Sequence, residues 1–120
     1  MLPEIVFKVV GFEEWDEALE LGEFEGAEID LQDGYIHFST AAQTQETVAK
    51  HFAGRNDLMI VAVNTAPMAR HYKMEVSRGG AEFPHLYAKL PVSNAAWWQE
   101  LPLADNGEHV FPEEFLSELI

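Results

Sequence analysis

The chain has 120 residues, of which 21 are acidic against seven Lys plus Arg, for a formal net charge of −14, and it contains no cysteine. That length suits one domain spanning 1–120, with a core that buries roughly two-thirds of the unfolded surface without cross-links. The missing thiols exclude disulfides, thiolate zinc sites and a cysteine nucleophile, and the acidic field disfavours nucleic acid and anionic membranes as partners.

Met1-Leu2-Pro3-Glu4 has neither the basic start nor the apolar run of a secretion signal. The longest apolar run, Leu58 to Val63, falls far short of the ~18 residues of a membrane span. The expected location is therefore the cytoplasm.

Ile5 to Val10 is β-branched and aromatic and reads as a first strand. Phe12, Trp15, Ala18 and Leu19 follow at helical spacing, and Gly22 is placed to end that helix in the left-handed conformation. Phe24-Glu25-Gly26 reads as a turn, the stretch to Gln32 is ambiguous, and Asp33-Gly34 is a turn signal. Tyr35 to Ser39 alternates as a strand. Thr40 to Gln43 matches a capping box ahead of a helix carrying Ala41, Thr44, Val48 and Phe52 on one face, up to Gly54.

Leu58 to Val63 reads as a strand covered on both faces. Tyr72 to Ser77 and Phe83 to Leu90 read as two more strands around an Arg78-Gly79-Gly80 loop, with Pro84 arguing that the second begins late or lies at an edge. Trp97-Trp98 falls in a less regular region. Glu108 to Phe111 reads as a short strand and Pro112-Glu113-Glu114 as a helix start. The expected fold is α+β, a mixed split sheet with two or three peripheral helices.

Two segments stand out. Alternation puts Tyr35, His37 and Ser39 on one face of their strand, and Phe83, His85 and Tyr87 on one face of theirs. If the two faces meet, they form a cleft with two imidazoles, stacking rings and hydroxyls. Thr40 leads into a helix N-terminus suited to an anion. Ser77, Gly79 and Gly80 offer backbone amides, and Arg78 offers a guanidinium for phosphate or carboxylate. Arg70, Lys73 and Arg78 bring three of the seven basic side chains together around His71, which also suits an ordinary strand edge. His51 and His109 read as structural. No HxH, HxxxH or HExxH spacing points to a metal, although His37, His71 and His85 would have to be weighed if the chain assembled them.

Through Trp15, Ala18 and Gly22, then Asp33-Gly34-Tyr35-Ile36-His37-Phe38-Ser39-Thr40, then Glu75 and Ser77-Arg78-Gly79-Gly80 with Phe83-Pro84-His85-Leu86-Tyr87, the sequence resembles the bacterial domain-of-unknown-function 952 family. Met74 departs from it, since a tryptophan is expected before the glutamate. The resemblance implies an ADP-ribosyltransferase-like fold with a cleft for NAD or an ADP-ribose-like nucleotide. His37, Ser39 and Thr40 would contact ribose and nicotinamide, Tyr35 or Tyr87 would stack, and Arg78 with Gly79-Gly80 would hold pyrophosphate. His37, His85 and Arg78 would be the catalytic set. The late-strand glutamate of such transferases has no clear counterpart; Glu75, Glu82 and Glu108 are the candidates. Three functions stay open: an ADP-ribosyl or phosphotransfer enzyme, a two-histidine metal-independent phosphodiesterase, and a non-catalytic binding module.

Overall fold

A computed structural model describes residues 4–120. Met1-Leu2-Pro3, part of the stretch read above for secretion features, and the side chain of Arg78 lie outside the described residues. The backbone is laid around a three-stranded sheet in the order β1 (Ile5–Gly11), β4 (Leu58–Asn64) and β8 (Ala95–Glu100). Alternation along β1 and β4 explains what covers it. Val6, Val10, Val61 and Val63 join one apolar cluster, while Phe7, Val9, Leu58, Ile60 and Ala62 join another. The central strand is thus buried on both faces, as its unbroken apolar run predicts.

On one side the core is closed by Val48 of α3 (Ala41–His51) and Phe115 of α4 (Glu113–Leu116). On the other, Trp15 and Ala18 of α1 (Phe12–Leu21) pack in, and Gly22 ends the helix at φ 86° with its N–H on the Ala18 carbonyl at 2.8 Å. The second sheet packs on this same side. Its order is β3 (Ile36–His37), β6 (Glu82–Leu86) and β5 (Tyr72–Val76), and its Ile36, Leu86 and Tyr72 belong to the first cluster. A two-stranded ribbon of β2 (Glu23–Phe24) and β7 (Leu90–Pro91) completes the layer. Every pairing between these strands is antiparallel, so the sheet is split as expected but strand directions are not mixed. Among the described residues no helix is long and apolar enough to cross a membrane.

Several local readings are corrected. Phe24 is in β2 and not in a turn. The ambiguous stretch is helix α2 (Glu28–Asp33), and Gly34, at φ 88°, is its left-handed cap instead of a hairpin turn. The extended run from Tyr35 to Ser39 serves two sheets: Ile36 and His37 pair with β6, but Ser39 exchanges backbone bonds with Phe7 of β1 at 2.8 and 2.9 Å. The run from Phe83 to Leu90 is broken after Leu86, and its end joins the ribbon. Trp97 and Trp98 lie in β8, one ring on Phe7 and the other on Trp15. The strand expected over 108–111 reduces to an isolated bridge of His109 with Leu103, and the His109 Nε2 donates to the Arg55 carbonyl at 2.7 Å.

Pro84 sits in the middle strand of its sheet, not at an edge. Its carbonyl accepts the Phe38 N–H at 2.9 Å just where β3 has ended. In an antiparallel ladder the missing N–H would point the same way, so no bond to β5 is lost.

Candidate functional site

The register of β3 on β6 pairs His37 directly with His85. Because Phe38 donates to Pro84 and Ile36 faces Leu86, the His37–His85 pair is the non-hydrogen-bonded kind, in which side chains stand closest. The ring centroids are 5.5 Å apart. Tyr35 lies against both, at 4.7 Å from His37 and 4.1 Å from His85, and 5.1 Å from Tyr87. The two histidines predicted from alternation therefore meet on one face, with both predicted tyrosines.

Each imidazole has a carboxylate on Nδ1. His37 Nδ1 meets Asp30 Oδ1 at 2.6 Å, and His85 Nδ1 meets Glu75 Oε1 at 2.9 Å. This is the arrangement that fixes a ring's orientation and tautomer. The supports differ. Asp30 is 2% exposed and caps its own helix by accepting the Ala27 N–H at 2.8 Å. It also accepts the His37 backbone N–H at 3.1 Å, on the free edge of β3. Its neutralising partner is Lys8 of β1, itself 7% exposed, at 3.0 and 2.9 Å from the two carboxylate oxygens. Burial alone would raise the Asp30 pKa. The His37 hydrogen bond, the Lys8 charge and the Ala27 amide outweigh burial and hold the carboxyl down at about 2. Burial pulls the Lys8 ammonium below its ordinary range, against the attraction of Asp30.

Glu75 is partly open to solvent. Its Oε1 accepts the Tyr87 hydroxyl at 2.5 Å as well as His85. Those two bonds, Tyr87 first, lower the Glu75 pKa, and the same carboxylate pushes the Tyr87 phenol up to about 12. Lys73, paired with His85 across β5–β6, lies 5.4 Å over the Tyr87 ring.

The outer nitrogens also differ. His37 Nε2 meets Asp33 Oδ2 at 3.0 Å, one helical turn back. His85 is 2% exposed, and its Nε2 has no hydrogen-bond partner among the described residues. A cleft of about 280 Å³ opens beside the pair, bordered by Glu25, Asp30, Gly34, Tyr35, Tyr87 and Lys89 among others. Neither imidazole is part of its lining; Tyr35 forms the wall between the cleft and His85.

The expected anion elements lie elsewhere. Ser39 is buried, and its hydroxyl donates to Thr47 Oγ1 at 3.0 Å, because its backbone has joined β1. Thr40 caps α3, with its N–H on Gln43 Oε1 at 3.0 Å, and Gln43 reaches the Glu82 carbonyl. Ser77, Gly79 and Gly80 form the hairpin tip beyond the Val76–Glu82 pair, roughly 10 Å along the strand from His85. The Ser77 and Gly80 N–H groups are satisfied inside that turn by Ala81 and Ser77. The stacking rings and these amides thus occupy opposite ends of the β5–β6 hairpin. Among the acid candidates, Glu75 alone meets an imidazole; Glu82 and Glu108 are exposed elsewhere. His71 is exposed and offers its carbonyl to the Tyr87 N–H. No three His, Asp or Glu side chains among the described residues gather as a metal site.

Sequence reasoning missed Lys8, Asp30 and Asp33. A signal for Lys8 was available: it shares the inward face of β1 with Val6 and Val10, where a lysine requires a buried anion.

A family model described as a protein of unknown function, DUF952, matches residues 9–98, which include every member of this cluster except Lys8. The crystal structure of protein CC0527 from Caulobacter crescentus is 41% identical, over 93% of this chain and 98% of that one, with a TM-score of 0.87. A double mutant of that protein is 42% identical over the same shares, with a TM-score of 0.86. Its solution NMR structure is 43% identical over 88% of this chain and 91% of that one, with a TM-score of 0.80. No curated protein matches the chain.

Proposed function

The chain belongs to the DUF952 family, and on that premise we propose that it is an acid–base enzyme acting on a small nucleotide-class molecule, with His37 and His85 moving the protons. The observation that carries this is the directly paired imidazoles, 5.5 Å apart, each with a carboxylate on Nδ1. Two such groups serve proton transfer to and from a reacting centre near neutral pH. Tyr87, 42% exposed, offers a ring at the cleft. The volume of about 280 Å³ lies at the small end of ligand sites and suits one base-and-sugar unit. An ADP-ribosyltransferase-like ancestry belongs to the same reading, supported by split sheets and a histidine strand beside the cleft.

Whole NAD is a poorer fit. Its ring would find Tyr87, but the Ser77 and Gly80 N–H groups are already bonded within their turn, which stands at the far end of the hairpin. No step is therefore assigned to that cofactor.

The test is a panel of cyclic phosphates, nucleotides, ADP-ribose and NAD, followed for turnover in EDTA with the wild type, His37→Ala and His85→Ala. Turnover lost in both variants supports the reading. Turnover unchanged in both contradicts it. A non-catalytic binding module is favoured by one observation, that Tyr35 separates the cleft from His85. Saturable binding without turnover across the panel would select it.

A further inference from the structure

We infer that the two imidazoles are held in opposite protonation states, His37 as the proton donor and His85 as the proton acceptor, and that Asp30, Asp33 and Glu75 are the positioning residues that set the difference. The inference rests on the acid–base reading above only for its use, not for its evidence. It follows from counting donors and acceptors. An ionised carboxylate only accepts, so a ring nitrogen facing one must carry hydrogen. His37 faces Asp30 at Nδ1 and Asp33 at Nε2, at 2.6 and 3.0 Å, so both of its nitrogens donate. That ring is an imidazolium. The Asp30 carboxylate it meets is ionised at neutral pH, because Lys8 holds both oxygens from the other side.

His85 has one carboxylate only. Glu75 Oε1 already accepts the Tyr87 hydroxyl, so Nδ1 of His85 donates to it as well. Nε2 is buried with no acceptor near it. A proton there would leave a charged N–H unsatisfied in a site walled by the Tyr35 ring, which is costlier than an unpaired lone pair. His85 is therefore the neutral Nδ1–H tautomer with a bare Nε2. The charged groups facing it are Glu75 and Lys73 of β5 and His37 of β3, and the last two weigh against a second positive charge.

A transfer step moves two protons through the pair. An attacking hydroxyl or water gives its proton to His85 Nε2 as its oxygen bonds to the reacting centre. The leaving oxygen takes the Nε2 proton of His37 as its own bond breaks. One proton enters the pair and one leaves, and their states are exchanged. Asp33, being exposed, is the partner that gives way to the leaving group, and Tyr35 is the ring that a substrate must displace.

Long-range ¹H–¹⁵N spectra of the ring nitrogens of the full chain at pH 7 test this without any substrate. The expected result is the imidazolium pattern for His37 and the neutral Nδ1–H pattern for His85, with Asp33→Asn releasing the His37 Nε2 proton and leaving His85 unchanged. The same state in both rings, or the reverse assignment, would overturn the inference. Since these spectra are independent of turnover, a failed substrate panel would remove the proposed activity and leave this result standing.

Discussion

The two three-stranded sheets bury similar apolar residues but differ in what they leave over. In β1–β4–β8 both faces are closed by side chains that ask only for packing. In β3–β6–β5 one face joins that core, whereas the other carries His37, His85 and Glu75 within a few ångströms of one another. Lys8 of the first sheet reaches the histidine-bearing side through Asp30 of α2, beside the backbone bridge between Phe7 and Ser39. The first sheet is held by packing on both faces, and the second by packing on one face and paired charge on the other.

The comparison breaks most severely at Asp30. Asp30→Ala leaves Lys8 buried and unpaired, strips His37 of two bonds and uncaps α2. The expected loss is about 4 kcal/mol, read by urea denaturation. In the packed sheet, Ile60→Ala removes a fully buried side chain from the second cluster. It should cost about 3 kcal/mol by the same measurement, with both histidine rings keeping their protonation patterns.

Acid sharpens the contrast. Asp30 is held at about 2 against an ordinary 3.8, so folding favours its ionised form. That contribution is complete above the unfolded value and is lost as pH falls from about 4 towards 2. It amounts to about 2 kcal/mol before the burial cost of Lys8 is set against it. Asp30→Asn should flatten this part of the acid denaturation curve, and Ile60→Ala should leave it in place. The smallest effect belongs to the open side of the site. Glu75→Gln should change stability little, since the carboxylate is part-exposed, yet it should lower the Tyr87 titration from about 12 back towards the ordinary phenol value, read by ultraviolet absorbance.

The same division governs what could be read from the amino acids. Ile5–Val10 and Leu58–Val63 are written in β-branched and apolar residues, and Gly22 closes a periodic helix, so two strands of the packed sheet and α1 were legible, whereas β8, half-exposed around Trp97 and Trp98, was not. The pairing of His37 with His85 was partly legible, because alternation fixes which side chains share a face. Register, not alternation, then decides that they stand opposite each other. Asp30 was hidden because α2 is six residues long and mostly polar, with a capping acid indistinguishable from a surface one until Lys8 is seen beside it. Ser39 was misplaced for a related reason: local alternation cannot tell that a strand leaves one sheet for another after two residues.

In the proposed function one cleft and one imidazole pair act together on a small nucleotide-class ligand. This is tested most directly by following backbone and histidine-ring NMR shifts while AMP, ADP-ribose and NAD are added to millimolar concentration. The expected result is saturable shifts centred on Gly34 to His37 and His85 to Lys89, with His85 responding as Tyr35 moves. Shifts confined to the Ser77–Gly80 tip, or none with any of the three, would contradict it.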